Sequence, residues 1–255
     1  MWRMNALGIC LIIWALLVGG ALTGALLRRL LPQHHLDTHA KDIVRLGCAL
    51  IATIAGLVLG LLINSAKSNF DSQRDEVRQL ATNVILLDHL LEEYGPESRP
   101  AREHLRAAAG AAVDRIWSEG AVKTKPGAPF TTTAAGEAAE RSIRTLTPTT
   151  DLQRLYHSQA IQAMSAILQT RLILYEQSSA SLPVAFLVIL VFWLFILFAS
   201  FSLFSPLNPT ALAAIVVIAL SAAGAIFLIL EMSEPFSGLM QIHSAPLRQA
   251  LAPLP

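Results

Sequence analysis

Leu182-Pro-Val-Ala-Phe186-Leu-Val-Ile-Leu-Val-Phe192-Trp-Leu-Phe195-Ile-Leu-Phe198-Ala-Ser-Phe201-Ser-Leu-Phe204 decides the class of this chain. It holds no charged residue, and about 20 apolar residues are what an α-helix needs to cross a hydrocarbon core. The uncharged turn Ser205-Pro206-Leu207-Asn208-Pro209 follows, and then a second uncharged run, Ala211–Leu230. So short a link forces the two runs into an antiparallel hairpin. Earlier in the chain, Ala6–Leu27 and Leu46–Ile63 are apolar and uncharged in the same way. Backbone polar groups cannot stay unpaired in lipid, so all these runs are expected as helices.

Composition agrees. Of 255 residues, 54% are hydrophobic and 15% charged, and the apolar residues come in blocks, which is not the pattern of a soluble domain. The net charge of +1 supplies no global field to attract nucleic acid, so none is expected as a partner. Cys10 and Cys48 both fall inside apolar windows, which argues against a disulfide framework. Ala6–Leu27 is longer than the apolar core of a signal peptide, and Arg28-Arg29 follow it directly; an uncleaved membrane helix is the expectation.

The expected fold is an all-α integral membrane protein. It has four transmembrane helices, two N-terminal and two C-terminal, around a central helical water-exposed domain. The expected divisions are an N-terminal membrane pair (1–63), a helical domain with stalk helices (64–181), a membrane hairpin (182–230) and a tail (231–255). Within the central domain, Phe70, Val77, Val84 and Leu91 recur every seven residues, with Leu80 and Leu87 between them and Gln73 the exception. That is an a/d seam with charged flanks, so the second span is expected to continue as one long rod. Tyr94-Gly95-Pro96 stops it. Amphipathic helices are expected over Ala101–Glu119 and Ala134–Leu146. A final long helix, capped by Thr150 or Asp151, presents Leu152, Leu155, Ile161, Met164, Leu168 and Tyr175 on one apolar face.

Several patterns are candidates for function. Gly20-x-x-x-Gly24 and Ala52-x-x-x-Gly56-x-x-x-Gly60 place small residues on one helix face, where two backbones can approach. They serve a dimer face, a pore-lining seam, or packing of the first two spans on each other. Phe192, Phe195 and Phe198 step by three. Such a band either meets lipid and neighbouring helices or forms a hydrophobic constriction. Arg171 interrupts the last apolar stripe, as a snorkelling interfacial cation, a charge at a pore mouth, or a partner for a carboxylate. His34, His35, Asp37, His39 and Asp42 cluster in the stretch Arg28–Arg45, read as a polar connector that lacks the dry second shell of a metal site. No cofactor and no metal is expected.

The tail is the most individual segment. Glu231 and Glu234 follow the fourth span, where the negative end of the helix dipole disfavours carboxylates. They are either exposed to water, paired with Arg171, Arg248 or Lys67, or part of a cation site. Pro235 breaks the helix by Ser233 or Glu234, Gly238 permits a turn, and Ser244 can cap a short terminal helix carrying Leu247 and Arg248.

This tail, Glu231-Met-Ser-Glu234-Pro235-Phe236-Ser-Gly238-Leu-Met-Gln-Ile-His-Ser244, with the aromatic third span and the small-residue fourth span, resembles a family of bacterial membrane proteins called bestrophin-like. The resemblance covers the whole chain. It implies kinship to bestrophins, which are pentameric anion channels with four membrane helices and a helical cytosolic domain. Pro235-Phe236 is similar to the Asn-Pro-Phe-Gly segment of bestrophins, with Glu234 in place of the Asn and Ser237 ahead of Gly238. The acidic calcium-binding run of some bestrophins has no counterpart after Gly238.

The function expected is therefore a multi-pass membrane protein, a homo-oligomeric ion channel for anions of bestrophin-like type. The alternative is a non-transporting scaffold or sensor whose helical domain binds a protein partner. An enzyme is not expected, because no Ser/His, His/Glu or paired-Asp constellation lies in the spans. The resemblance implies the bacterial inner membrane. With the N-terminus inside, near-membrane Arg3, Lys67, Arg74, Arg78, Arg171 and Arg248 outnumber Arg28, Arg29, Lys41 and Arg45 outside, which places the helical domain in the cytoplasm.

Overall fold

The computed structural model describes residues 6–30, 38–117, 133–179, 184–204, 208–236 and 238–249. Among the described residues every regular element is helical. The order is α1 (Ala6–Leu30), α2 (Thr38–Tyr94), a 3-10 turn (Pro96–Ser98), α3 (Arg99–Trp117), α4 (Ala134–Arg144), α5 (Asp151–Ser179), α6 (Val184–Phe204), α7 (Pro209–Met232) and α8 (Ala245–Gln249). Helices α1, α2, α6 and α7 are long and apolar enough to cross a membrane. The chain forms two compact units: Met1–Ser68 with Leu182–Ser233, and Asn69–Ser181 with Glu234–Pro255.

In the first unit α1 packs against both α6 and α7. Leu17, Leu190, Phe198, Ala219, Ala223 and Ile226 form its core, and Ala55 of α2 joins them. The Gly20–Gly24 face is where α1 meets α6. A methyl group at Gly20 would lie 2.9 Å from the Phe195 carbonyl oxygen, and one at Gly24 would overlap the Ala199 backbone. The expected partner for this motif inside the chain was the second span; the observed partner is α6. Small spacing reports that two backbones approach, not which two. On the α7 side the Cys10 thiol donates to the Ala223 carbonyl at 3.3 Å.

The second unit is a helical bundle. Val77, Leu80, Val84, Leu87 and Leu91 of the α2 seam are all buried, and so is Gln73. They pack with Leu105, Val113 and Ile116 of α3, Ile143 of α4, and Met164, Ile167 and Leu174 of α5. The buried α5 face agrees with the expected one in its middle, where Met164 is buried and Ile161 and Leu168 pack against the core, and differs at its ends. Leu152, Leu155 and Tyr175 are 57%, 51% and 43% exposed, while Ala160, Ala163, Thr170 and Leu174 are buried. The neighbouring helices come close at small side chains, and the bulky leucines at the start of α5 point outward. Size alone misplaced the face at its two ends.

The ends of the bundle helices have identifiable causes. Gly95 stops α2 in the left-handed region at φ +119°, open without strain only to glycine. The buried Ser98 hydroxyl then donates to the Leu91 and Gly95 carbonyls. Thr133 caps α4 by accepting from the Gly136 amide at 3.0 Å. Thr150 caps α5 by accepting from the Gln153 amide at 3.1 Å, and the Gln153 carboxamide accepts in return from Thr149. Where α2 meets α3, Asp88 accepts from Arg102 Nε and Nη2 and from Arg106 Nη2, each at 3.0 Å. Burial works to raise the Asp88 carboxyl, but the hydrogen bonds and charges of the two guanidiniums outweigh it and hold it below its ordinary value.

One boundary is corrected. Arg28–Arg45 read as a connector, yet α1 runs to Leu30 and α2 begins at Thr38. Lys41, Asp42 and Arg45 are exposed on the first turns of α2. Lys and Arg are good helix formers, so charge ends an apolar window without ending a helix.

Candidate functional site

The membrane-length part of α2 has three faces. Ala55, Leu59 and Leu62 turn to the core of the first unit. Leu50, Ile54, Leu57 and Leu61 share a bulky exposed face. Ala52, Gly56 and Gly60 form a third face, also exposed, and at roughly 100° per residue it lies about a third of a turn from the bulky one. Among the described residues outside its own helix turn, no atom lies within 4 Å of where a Cβ would stand at Gly56 or Gly60. The two glycine motifs therefore differ: the one in α1 is filled by α6, and the one in α2 is open among the described residues.

The three phenylalanines do not share one open face. Phe192 is 58% exposed, while Phe198 is buried in the core of the first unit and meets Phe201 edge-on at 6.3 Å. Phe195 lies half-buried over Gly20.

The tail acids separate as well. Glu231 lies in the last turn of α7 and is only 5% exposed, so plain exposure to water is not its environment; Glu234 is exposed. From Glu234 onward the tail folds on the bundle. The Pro235 carbonyl accepts from the Ile242 amide at 2.7 Å, closing a loop that turns at Gly238 with φ +91°. The Ile242 carbonyl accepts from Trp117 Nε1 at 2.6 Å. Phe236 packs edge-on against the Trp117 ring, with centroids 5.9 Å apart. Ile242 and Leu247 are buried in the bundle core. Trp117 was absent from the candidates; an isolated tryptophan ending an amphipathic helix was the available signal. The exposed Leu239 and Met240 project beside a groove that also includes Arg74, Arg78 and His243.

Arg171 lies in the bundle unit and lines a cavity among α2, α3, α4, α5 and α8. Burial, and then the nearby positive charge of Arg115, hold its guanidinium below the usual arginine range. His34, His35 and Asp37 lie outside the described residues, as do Ser205–Leu207, Gly120 and Leu251. Among the described residues no group of three His, Cys, Asp or Glu side chains could hold a metal.

Four helices long and apolar enough to cross a membrane, in a chain whose described elements are all helical, mark an all-α membrane protein. A family model described as Bestrophin-like domain matches residues 15–247, and the chain belongs to the bestrophin-like family. Solved structures share the fold. A bacterial bestrophin homologue from Klebsiella pneumoniae, crystallised as a tryptophan-to-alanine variant, is 16% identical, with 98% of this chain and 97% of that chain covered and a TM-score of 0.68. Another crystal structure of a bacterial bestrophin homologue from Klebsiella pneumoniae matches at 16% identity over 94% and 95%, with a TM-score of 0.68. A membrane protein with a glycine-to-alanine mutation matches at 15% identity over 94% and 95%, with a TM-score of 0.67. No curated protein matches the sequence.

Proposed function

We propose that the chain is one subunit of an oligomeric, anion-conducting channel of bestrophin type. The observation that carries this is the open Ala52–Gly56–Gly60 face of α2. A face of small residues with no neighbour at Gly56 and Gly60 among the described residues suits close approach of another copy or an axial lumen. Exposed apolar side chains on the bundle support association too: Leu86, Leu152, Leu155 and Leu172 are 46%, 57%, 51% and 68% exposed in the single chain. Kinship to bestrophins makes five the expected number of copies.

In this reading 1–63 and 182–230 hold two spans each, and 64–181 with the tail is the water-exposed part. The sequence of the spans carries no charged side chain between Leu46 and Ile63, so the path is gated by an apolar constriction that dewets. Of Phe192, Phe195 and Phe198, Phe192 is the one exposed in the single chain and available for it. The excess of cations flanking the helical domain supports its placement in the cytoplasm, with the protein in the bacterial inner membrane. Native mass measurement of the purified full chain tests the assembly. A pentamer is expected. A monomer overturns the channel reading, because four helices this apolar enclose no aqueous path within one chain, and leaves the scaffold reading in its place.

A further inference from the structure

The start of the bundle rod and the tail enclose an open groove of about 450 Å³. Both walls belong to the bundle unit. One wall is α2, where Phe70, Arg74, Val77 and Arg78 recur at the spacing of a single helix face. The other is the tail between Leu239 and Pro246. The turn at Gly238 and the Ile242 amide, which donates to the Pro235 carbonyl, hold that wall in shape. Two kinds of surface meet in the groove. Phe70, Val77 and Ile242 pack on the bundle core and make an apolar floor, and Leu239, 76% exposed, extends it at the rim. Arg74, Arg78 and His243 stand exposed along the same groove. Arg78 meets Asp75 at 3.4 Å, but both side chains are more than half in water, where such a pair is weak. Among the described residues Arg74 makes no ion pair. Asp71, Asp75 and Glu76 are neighbours on α2, yet no acidic side chain among the described residues lines the groove. The floor is therefore apolar and the lining charge positive.

We propose that this groove binds a single-chain anionic amphiphile, a carboxylic acid of about eight to twelve carbons, with its carboxylate on Arg74 and its alkyl chain over Phe70, Val77 and Ile242. Size sets the class. The groove has about three times the volume of an engineered cavity of ~150 Å³ that takes the ring of benzene, enough for one chain of medium length and its headgroup but not for the two chains of a phospholipid. Chemistry narrows it further. A bare inorganic anion would leave the apolar floor wet, a neutral alcohol would not use the guanidinium, and a cationic amphiphile would meet two of them. The groove lies within one chain and does not depend on the channel reading.

The test is photolabelling of the full chain, held in nanodiscs of zwitterionic lipid, with a diazirine-bearing decanoic acid, read by peptide mass spectrometry. Labelling of the spans measures the probe dissolved in the bilayer, and tail labelling is taken relative to it. Labelling of the tail between Leu239 and Pro246 is expected, and excess decanoate should remove it where decanol and decyltrimethylammonium do not. Arg74→Gln is expected to weaken it roughly tenfold, the size of one charge-assisted hydrogen bond. Ala245→Trp, which narrows the groove, is expected to abolish it while helical content is retained. Tail labelling that decanol removes equally, or that Arg74→Gln leaves unchanged, overturns the proposal. So does displacement of the probe by an anionic phospholipid added to the nanodiscs, which would make the occupant a bilayer lipid. If Ala245→Trp fails to fold, the Arg74→Gln titration decides alone.

Discussion

Trp117 donates its indole N–H to the carbonyl of Ile242 at 2.6 Å, a hydrogen bond between residues 125 apart in sequence. It pins the tail to the last turn of α3, and Phe236 closes on the same ring from the side. The segment that distinguishes this chain in sequence is thus held to the bundle by Trp117 together with the buried Ile242 and Leu247.

Trp117→Phe keeps an aromatic ring, though a smaller one, but removes the donor, leaving the Ile242 carbonyl short of a partner. The expected loss is about 1 kcal/mol of local stability. Hydrogen exchange of the full chain should show the Ile242 and Leu247 amides exchanging roughly fivefold faster, with α4 unchanged. Trp117→Ala, which also removes the Phe236 contact, should release the tail further.

Asp88 gives a pH dependence with a definite sign. Its folded pKa is depressed, so its contribution is present above the unfolded value of about 3.9 and is lost as the pH falls through the folded value. Asp88→Asn is expected to cost the bundle about 2 kcal/mol at neutral pH, less than a fully buried pair because Arg102 and Arg106 keep some exposure. Thermal unfolding followed by circular dichroism between pH 3 and 7 checks it: the difference between wild type and variant should shrink on the acid side.

The two glycine motifs should respond differently. Gly24→Ala drives a methyl into the Ala199 backbone and should lower the melting temperature of the single chain by several degrees. At Gly56 a Cβ would have no described neighbour within 4 Å outside its own helix, so Gly56→Leu should leave subunit folding intact and disturb the assembly instead. Size-exclusion chromatography with light scattering separates the two effects.

Much of the fold could be read directly, because lipid leaves a chain few choices. Apolar length alone marked the four helices long enough to cross a membrane, and the seven-residue period of Val77, Val84 and Leu91 placed the rod and its buried face. Gly95-Pro96 stopped that rod at Tyr94 because the chain there needs a positive φ. The middle of the α5 face, Ile161, Met164 and Leu168, could be read, but its ends could not, since packing left Leu152, Leu155 and Tyr175 exposed and buried Ala160 and Ala163. The partner of Gly20 and Gly24 could not be read either, since a small-residue spacing carries no address. The candidate site was legible as a tail with an odd composition. Its anchor, Trp117, and the different burial of Glu231 and Glu234 depend on contacts over a hundred residues away or on tertiary placement, which local sequence does not encode.

Chloride efflux from proteoliposomes containing the full chain tests the central claim most directly. The account predicts efflux well above protein-free vesicles, and a reduction when Gly60→Leu places a bulky side chain on the open face of α2. Efflux no greater than that of empty vesicles, from a preparation whose oligomer is intact, would contradict it.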